Sequence, residues 1–311
     1  EYVLQQKNLT VTRSGNGPGS VASSPAGINC GADCDNSYDY GTAVTLTATP
    51  GDHTVFTGWS GACSGTSTCD VTMDQAKDVD AAFVLETRDL TVTRSGNGTG
   101  SVTSSPSGID CGTDCASSPD YGTEITLTAD PATGSNFTGW TGACSGTSAC
   151  TVTMDQARDV EAAFTLQKRI LSVETSGNGA GGVSSDPAHI DCGVICSHQW
   201  DYGTSVTLTA HPAANSDFTG WSGACAGEGN CTVSMDQARF VDAGFALHKR
   251  ALTVSRSGNG AGGVTSNPAG IDCGNDCSED LDIGSTVTLT AEPAAGSSFT
   301  GWSGDCSGSG T

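Results

Sequence analysis

The sequence predicts an all-β protein, a tandem array of four small disulfide-stapled β modules with a period of 81 residues. One observation is the period itself, because a Gly-Trp pair recurs every 81 residues, at Trp59, Trp140, Trp221 and Trp302. A fixed period along the whole chain is typical of repeat architectures. A second observation is that short stretches of alternating apolar and polar residues lie between Gly- and Pro-rich turns, as in β-sheet proteins. A third is that the cysteines recur at the same interval, which suits units too small for a large core.

The period also sets the expected domain boundaries. Residues 7–87, 88–168 and 169–249 form repeats 1 to 3, and residues 250–311 form an incomplete repeat 4. Residues 1–6 align with the end of repeat 1 and are expected to be the end of a preceding repeat. We interpret the chain as a window on a longer array. The other interpretation is that the two ends are complementary and one subunit completes the next.

The first half of repeat 1 predicts three strands. Residues 9–13 alternate apolar and polar side chains, as a half-buried strand does. The Asn-Gly pair at 16–17 tolerates the positive backbone angles of a hairpin turn, so residues 20–23 are expected to return as a second strand. Residues 24–34 form a loop that contains the first two cysteines. Residues 40–48, in which threonine alternates with valine, leucine and alanine, are the clearest strand.

The second half of repeat 1 continues with short strands. Phe56–Trp59 is a strand, Cys63–Cys69 brackets a Gly/Ser loop, and strand character resumes at residues 71–73. Asp74–Lys77 is expected to form a single helical turn that its first residue caps. Apolar residues then alternate along a last strand at 79–83. Since no long helical pattern occurs, each repeat is expected to be an all-β module.

The cysteines are expected to form disulfides rather than a metal site. Their spacings, Cys-x3-Cys and Cys-x5-Cys, lie in Gly-, Ser- and Asp-rich loops with no histidine in register, unlike the usual zinc ligand patterns. Disulfides imply export from the cytosol. Three connectivities stay open in each repeat among Cys30, Cys34, Cys63, Cys69, Cys111, Cys115, Cys144, Cys150, Cys192, Cys196, Cys225, Cys231, Cys273 and Cys277. Cys306 has no local partner in this sequence and is the candidate for an intersubunit disulfide.

The formal net charge of −22, with only 12 lysines and arginines, predicts an acidic surface. Such a surface repels the phosphates of nucleic acid and of anionic lipid, so we expect neither as a partner. No apolar run approaches the length that spans a membrane, so membrane insertion is not expected.

The junctions between repeats contain neither glycine nor proline. Residues 83–90, 164–171 and 245–252 run from the last strand of one repeat into the first strand of the next. Flexible linkers are rich in glycine and serine, so the array is expected to be a stiff rod. Lysine and arginine, scarce elsewhere in the chain, gather at these junctions.

Two motifs carry a resemblance to a known family. They are Gly-Trp-Ser-Gly-Ala-Cys at 58–63 and Cys-x-Val-x-Met-Asp-x-Ala-Lys/Arg-x-Val-x-Ala-x-Phe at 69–83. Over essentially its whole length the chain resembles the divergent bacterial form of the internalin-type B repeat. The resemblance implies a small module related to the β-grasp fold, a surface, adhesive or fibre-forming role in long extracellular proteins, and no catalytic residues. The usual form has a helix where this chain has the Cys30–Cys34 loop, so a β-grasp-like module and a small β-sandwich both stay open.

The sequence predicts no catalytic site, and no enzyme is expected. A catalytic base built into a repeat should recur in register or stand beside a partner in one specialised unit. The histidines do neither, and we interpret all five as surface substitutions: His53, His189, His198, His211 and His248. The glycine-rich stretch at 14–19 precedes a strand rather than a helix, so a dinucleotide site is not expected.

Aspartates that recur in register leave a calcium site open. Asp39, Asp120, Asp201 and Asp282 stand before the clearest strand of each repeat, and carboxylates on the loops of an acidic exported protein suit Ca²⁺. The alternative, which we favour, is that each aspartate initiates the turn that follows it. No other metal or cofactor is expected.

The in-register tryptophans Trp59, Trp140, Trp221 and Trp302 are expected in the core. Each follows a phenylalanine by three positions in a small module, where a large ring supplies much of the buried area. Trp200 lacks a tryptophan counterpart in the other repeats, so we expect it to be partly exposed in a variable loop at 197–200.

Together these features predict a structural protein at the surface of a bacterial cell or outside it. Stacked modules would form a stiff stalk or filament, and head-to-tail polymerisation by strand addition is the sharper form of this hypothesis. Its partners are other copies of the chain or neighbouring repeats. The competing hypothesis is an adhesin that binds a glycan or a surface protein through loops such as 197–200.

Overall fold

The computed structural model of the protein describes residues 2–310, in which every regular element is a β-strand. The predicted all-β fold class is therefore confirmed. Tertiary contacts divide the chain into two units, one that ends at Leu166 and one that begins at Gln167. The first unit contains repeats 1 and 2, and the second contains repeats 3 and 4. Within residues 2–310 no helix has the length and apolar character needed to cross a membrane.

Repeat 1 contains eight strands in two four-stranded sheets. The strands are β1 (Gln6–Ser14), β2 (Gly19–Ser24), β3 (Asn29–Cys30), β4 (Asp35–Asp39), β5 (Ala43–Pro50), β6 (Thr54–Gly61), β7 (Cys69–Thr72) and β8 (Lys77–Leu85). One sheet has the order β4-β1-β8-β6 and the other the order β3-β2-β5-β7. Strands β1 and β8 pair in parallel, whereas the other pairs are antiparallel. The first and last strands of the repeat therefore lie side by side at the centre of one sheet.

Repeats 2 and 3 have the same topology. The strands of repeat 2 are β9 (Leu90–Ser95), β10 (Gly100–Ser105), β11 (Asp110–Cys111), β12 (Ala116–Ser117), β13 (Glu124–Pro131), β14 (Ser135–Gly142), β15 (Cys150–Thr153) and β16 (Arg158–Leu166). Those of repeat 3 are β17 (Lys168–Ser176), β18 (Gly181–Asp186), β19 (Asp191–Cys192), β20 (Ser197–Asp201), β21 (Ser205–Pro212), β22 (Ser216–Gly223), β23 (Cys231–Ser234) and β24 (Arg239–Leu247). The sheet orders are β12-β9-β16-β14 and β11-β10-β13-β15, then β20-β17-β24-β22 and β19-β18-β21-β23.

The described part of repeat 4 contains two two-stranded sheets. Its strands are β25 (Lys249–Thr253), β26 (Gly262–Asn267), β27 (Ser278–Asp282) and β28 (Thr288–Pro293). Strand β25 pairs with β27, and β26 pairs with β28. These pairs correspond to β1 with β4 and β2 with β5 in repeat 1.

The core of each complete repeat draws side chains from both of its sheets, so the module is a small β-sandwich. In repeat 1 the buried cluster consists of Leu9, Val11, Val21, Ile28, Cys30, Tyr38, Val44, Leu46, Trp59, Cys69, Val71, Met73, Val79, Ala81 and Phe83. The ring of Phe83 is fully buried and lies against the backbone of Gly19. A Cβ atom on Gly19 would be 2.5 Å from this ring, so glycine is required for β2 to pack this closely against Phe83 of β8.

The Phe-Thr-Gly-Trp segment turns both of its rings toward the core by means of a β-bulge. Residues three apart on a regular strand face opposite sides of the sheet. Here the register of β6 with β8 shifts between Phe56 and Gly58, and Gly58 has a φ of 144°. A bulge adds one residue on one strand and so changes which face the next side chains occupy. The rings of Phe56 and Trp59 consequently meet edge to face with centroids 5.0 Å apart.

The helical turn predicted at Asp74–Lys77 is wrong. These residues form a bend, because Lys77 is already the first residue of β8 and leaves no room for a helical turn. The Lys77 ammonium instead lies 2.9 Å from the Asp74 carboxylate. The hydrogen bond from Lys77 is the main reason that the pKa of Asp74 is lowered. The bend recurs with ion pairs between Asp155 and Arg158 and between Asp236 and Arg239.

Candidate functional site

Local disulfides hold the loops of each repeat. The pairs are Cys30–Cys34, Cys63–Cys69, Cys111–Cys115, Cys144–Cys150, Cys192–Cys196, Cys225–Cys231 and Cys273–Cys277. The N–H of Val11 donates to the carbonyl of Cys34 at 2.8 Å, which fixes the first disulfide loop to β1. Cys306 is exposed and has no disulfide partner among residues 2–310.

The in-register tryptophans tie the second disulfide loop to the core. Trp59 is 5% exposed, and its indole N–H donates to the carbonyl of Ser67 at 2.6 Å. Its backbone N–H donates to the carbonyl of Gly65 at 2.8 Å. Both acceptors lie between Cys63 and Cys69, so one residue fills the core and positions the loop. The indole bond recurs at Trp140, Trp221 and Trp302, with distances of 2.8, 2.6 and 2.8 Å. The expectation that Trp302 lies in the core is wrong, because its ring is only partly buried in the described part of repeat 4, where fewer strands pack around it and Cys306 closes no disulfide loop.

Repeats 1 and 2 meet at a hydrogen-bonded joint. The N–H of Tyr121 in repeat 2 donates to the carbonyl of Glu86 in repeat 1 at 2.7 Å, and Thr87 forms an antiparallel bridge with Asp120. The N–H of Arg88, the first residue of repeat 2, continues this pairing with the carbonyl of Pro119 at 2.9 Å. The chain that leaves repeat 1 thus adds a short antiparallel pairing to the loop that follows β12 in repeat 2. Backbone bonds of this kind fix the direction in which one repeat follows the other.

An asparagine side chain completes this joint. The Oδ1 atom of Asn16 accepts the N–H of Leu85, at the end of β8, at 3.0 Å. Its Nδ2 atom donates to the carboxylate of Asp120, in the next repeat, at 2.5 Å. Asn16 therefore bonds to the last strand of its own repeat and to repeat 2 at once. The sequence predicted only a hairpin turn here, although the recurrence of asparagine at 97 and 178 was an available signal.

Rings and charges surround the joint between repeats 1 and 2. The imidazole of His53 stacks on Tyr121 with centroids 3.6 Å apart and an interplanar angle of 12°. The guanidinium of Arg88 lies 5.5 Å from the centre of the same tyrosine ring and 2.5 Å from the Glu86 carboxylate. His53, interpreted from the sequence as a surface substitution, thus takes part in the contact between two repeats.

The second unit has the same joint between repeats 3 and 4. The Oδ1 atom of Asn178 accepts the N–H of Leu247 at 3.2 Å, and its Nδ2 atom donates to the carboxylate of Asp282 at 2.6 Å. The N–H of Ile283 donates to the carbonyl of His248 at 2.9 Å. The same atoms at the same repeat positions therefore connect consecutive repeats in both units.

The aspartates considered as calcium ligands make contacts within the protein. Asp120 and Asp282 accept the asparagine bonds of the joints. Asp39 accepts a bond from Gln6 at 3.4 Å, and Asp201 lies 2.6 Å from the Lys168 ammonium. In the described part of the chain no three His, Cys, Asp or Glu side chains are placed to hold a metal. The contacts favour a structural role for these carboxylates, and a calcium site stays a prediction.

The expectation that Trp200 is partly exposed is wrong, because its ring is only 5% exposed. Trp200 lies on the edge strand β20 at the position of Tyr38 in repeat 1, which is buried as well. The segment interpreted as a variable loop is therefore a strand whose alternation turns this ring into the core. The aromatic residue at position 38 was the signal that could have shown it.

The rings of two histidines stack beside Trp200. His189 and His198 are parallel, with centroids 4.2 Å apart and an interplanar angle of 4°. Each meets the Trp200 ring edge-on, at 5.0 and 4.8 Å. Desolvation lowers the pKa of His198, and the nearby charges of His189 and Lys168 lower it further. Repeat 1 has Gly27 and Asn36 at the positions of the two histidines, so this cluster is particular to repeat 3.

The other histidines lie apart from this cluster. The Nε2 atom of His211 is 2.7 Å from the hydroxyl of Ser184, and that of His248 is 3.0 Å from the carboxylate of Asp217. Each pair is exposed. A catalytic triad needs a nucleophile, a base beside it and a third group that orients the base, and neither pair forms this arrangement.

Comparison with known proteins decides the family. A family model described as the divergent InlB B-repeat domain matches residues 8–87, 90–168, 172–249 and 252–311. The chain belongs to the divergent InlB B-repeat family. The resemblance inferred from the Gly-Trp and Met-Asp motifs is thus confirmed, and the 81-residue units are B repeats. No curated protein matches the chain.

Three solved structures show distant similarity to these B repeats. The TIE protein of Bacillus anthracis is 8% identical, with a TM-score of 0.38 over 93% of this chain and 61% of that one. This chain therefore spans less than two thirds of that structure. Two B repeat units of the collagen-binding protein of Staphylococcus aureus are 10% identical, with a TM-score of 0.19 over 94% and 93% of the two chains. The major pilin T-13 of Streptococcus pyogenes is 7% identical, with a TM-score of 0.17 over 79% and 98%.

Proposed function

We propose that this B-repeat chain belongs to a structural extracellular protein that forms a stiff stalk or filament on or outside a bacterial cell. The observation that carries the proposal is the joint, in which Asn16 and Asn178 make the same two bonds in the two units. Independent domains on a flexible linker need no such bonds. A joint that recurs along the chain is suited to a structural protein in which each repeat must keep a fixed orientation relative to the next.

The disulfides support the extracellular part of this proposal. Every cysteine of the described chain except Cys306 is paired. Such bonds persist in oxidising surroundings and are rare in the cytosol. The net charge of −22 keeps a long exported chain soluble and discourages binding to nucleic acid.

A structural rather than an enzymatic role is favoured by where the recurring polar and aromatic residues are engaged. Trp59, Trp140 and Trp221 hold the disulfide loops of repeats 1 to 3, and Asp120 and Asp282 accept the bonds of the joints. The residues that recur in every repeat are thus engaged either in folding the repeat or in connecting it to the next repeat. Head-to-tail polymerisation would extend the same arrangement of consecutive repeats from one chain to the next.

The experiment that tests the proposal is immunogold electron microscopy of the native cells with an antibody to the B repeats, beside a glycan array. We expect label on surface projections or on detached filaments and no specific glycan signal. Label confined to the cytosol would contradict the proposal. A specific glycan signal would favour an adhesin instead.

Head-to-tail polymerisation has its own test. Denaturing gels run without reducing agent, with electron micrographs of the same sample, should show species longer than one chain. Disulfide-linked species that disappear in Cys306→Ser would support an intersubunit disulfide at Cys306. Monomers alone, with no filaments in the micrographs, would contradict polymerisation. The chain would then be a stalk that does not polymerise.

A further inference from the structure

The asparagine of each joint is followed by glycine. The pairs are Asn16–Gly17, at the joint between repeats 1 and 2, and Asn178–Gly179, at the joint between repeats 3 and 4. Asparagine is one of the thermally unstable residues of proteins, and it deamidates most readily before glycine, which has no side chain to shield its backbone nitrogen. A chemically reactive pair therefore lies at both joints.

The fold requires both residues of this pair. A Cβ atom on Gly17 would be 2.9 Å from the backbone of Val84, so only glycine fits against the last strand. The Asn16 side chain accepts the N–H of Leu85 and donates to the Asp120 carboxylate. An ionised aspartate only accepts hydrogen bonds, so it could not make both contacts. The joint cannot be built without its reactive pair.

Deamidation would change the charge at the joint. The backbone nitrogen of Gly17 bonds to Cγ of Asn16, and the Cγ–Nδ2 bond breaks. The side-chain nitrogen leaves as ammonia with the proton of the Gly17 amide, and a five-membered succinimide remains. Water then opens this ring at one of its two carbonyls and gives aspartate or isoaspartate. A neutral carboxamide is thereby replaced by a carboxylate.

The folded repeat restrains the groups that must react. The N–H of Gly17 donates to the carbonyl of Phe83 at 3.1 Å, and the Asn16 side chain is bonded at both of its ends. In repeat 3 the N–H of Gly179 makes the same bond to the carbonyl of Phe245 at 3.0 Å. The glycine nitrogen must leave its carbonyl and the carboxamide must turn toward it. Local opening of the turn from the last strand therefore has to precede the reaction.

Repeat 4 contains the same pair without these restraints. Asn259 and Gly260 are exposed. Among the described residues, neither the Gly260 N–H nor the Asn259 side chain makes the bonds found in repeats 1 and 3, because the described part of repeat 4 has no equivalent of β8. The segment Ser-Gly-Asn-Gly-Ala-Gly-Gly occurs at 176–182 and again at 257–263. The chain thus holds a restrained and an unrestrained copy of one sequence.

We propose that both joints are deamidation sites, protected while the joint is closed and unable to close again once they have reacted. In the closed joint the Asn16 Nδ2 atom lies 2.5 Å from the Asp120 carboxylate. After deamidation two carboxylates face each other there, so attraction becomes repulsion. A transient separation of two repeats becomes permanent. The inference rests on the proposed structural role, to which it adds a chemical route by which a stiff array loses its stiffness.

The first test is peptide mapping by mass spectrometry of the full chain after incubation at mildly alkaline pH. Deamidation is measured at Asn178 and Asn259, which share one intrinsic rate because their surrounding sequences are identical. We expect Asn259 to react at least about tenfold faster, because it needs no opening step. In the chemically unfolded chain, which is the control, the two rates should be equal.

A pair of reciprocal variants tests the contribution of the joint. Asp120→Ala removes the acceptor of the Asn16 side chain and should speed deamidation there by about threefold or more, whereas Asn178 should keep its rate. Asp282→Ala should have the opposite pattern, with faster reaction at Asn178 alone. Each variant is thus the matched control of the other, and circular dichroism checks that both are folded.

A third variant tests whether the reacted joint fails to close. Asn16→Asp mimics the product, and we expect faster hydrogen exchange of the Tyr121 amide than in the wild type. Combining it with Asp120→Asn exchanges the carboxylate and the carboxamide. The new asparagine can donate to the new aspartate, which can still accept the N–H of Leu85. This double variant should therefore return the exchange of Tyr121 toward the wild-type rate.

Two outcomes would overturn the proposal. One is equal deamidation of Asn178 and Asn259 in the folded chain, which would show that the closed joint gives no protection. The other is wild-type exchange of Tyr121 in Asn16→Asp, which would show that the reacted joint still closes. Neither outcome touches the structural role, whose failure would appear separately as B repeats located in the cytosol.

Discussion

Among single residues, Trp200 replaces a tyrosine whose hydroxyl has a partner. In repeat 1 the Tyr38 hydroxyl lies 2.8 Å from the hydroxyl of Ser23. The indole N–H of Trp200 is buried and has no hydrogen-bond acceptor among the protein atoms of residues 2–310, and leaving a buried donor without an acceptor generally costs about 1–3 kcal/mol. Edge-on contacts with His189 and His198 accompany the larger ring. The histidines and the tryptophan are therefore best understood as one set of substitutions that repacks this corner of repeat 3.

Trp200→Ala should destabilise repeat 3 by about 3–5 kcal/mol, because it empties a buried aromatic site. Chemical unfolding of the full chain, followed through signals of repeat 3, measures the change. The control is Gln199→Ala, at an exposed neighbour on the same strand, which should change stability by no more than about 0.5 kcal/mol. An effect of Trp200→Ala as small as that of the control would show that the ring is not in the core.

The histidine stack should make repeat 3 less stable in mild acid. The pKa of His198 is below its ordinary value of 6.5, so the folded repeat binds this proton less readily than the unfolded chain does. The stability from neutral His198 is therefore complete above a pH of 6.5 and declines as the pH falls from 6.5 toward the lower folded-state pKa.

Thermal unfolding of repeat 3 between neutral and mildly acidic pH measures this decline. His198→Asn, which restores the residue of repeat 1, should flatten the profile. His211→Thr, which removes a histidine outside the stack, should leave the profile as it is in the wild type. If His198→Asn left the profile unchanged, the loss of stability in mild acid would not come from protonation of His198.

Among elements, the strands of the clear alternating segments were predictable, and those with an irregularity were not. Residues 40–48 show alternation, and β5 (Ala43–Pro50) forms there. Phe56 and Trp59, three apart, break the period of two, and only the bulge at Gly58 lets both rings turn inward. Strand β3 has two residues, too few for a pattern to appear in the sequence. Its position depends on pairing with β2, which a local pattern does not encode.

Replacing Cys63 and Cys69 together by alanine should cost repeat 1 about 2 kcal/mol, because a short closed loop is released in the unfolded chain. The Cys63–Cys69 loop should also loosen from the indole of Trp59. Hydrogen exchange of the indole N–H groups measures this, with faster exchange expected at Trp59 and unchanged exchange at Trp140. Equal acceleration at both tryptophans would mean that the repeats do not hold their loops independently.

For the whole molecule, the sequence predicted the absence of flexible linkers but not the bonds that replace them. Residues 83–90 lack glycine and proline, and the structure extends the chain there into pairing with repeat 2. The second role of Asn16 was not predictable from local pattern, because its partner Asp120 is 104 residues away. The period was the available guide, since asparagine and aspartate recur at both positions in every repeat.

Asn16→Ala should weaken the joint between repeats 1 and 2 by about 0.5–1.5 kcal/mol, the net value of an exposed hydrogen bond. Amide hydrogen exchange at Leu85 and Tyr121 measures the change, and both should exchange faster than in the wild type. Asn8→Ala removes an exposed asparagine away from the joint and should have no effect there. Unchanged exchange in Asn16→Ala would show that the joint does not depend on this side chain.

The most direct test of a structural B-repeat array is cryo-electron microscopy of the native material, prepared without reducing agent. We expect stalks or filaments in which consecutive B repeats follow one another at a constant spacing and angle, with density for the Asn–Asp contact between repeats 1 and 2 and between repeats 3 and 4. Repeats that adopt many angles relative to their neighbours, like beads on a flexible chain, would contradict it.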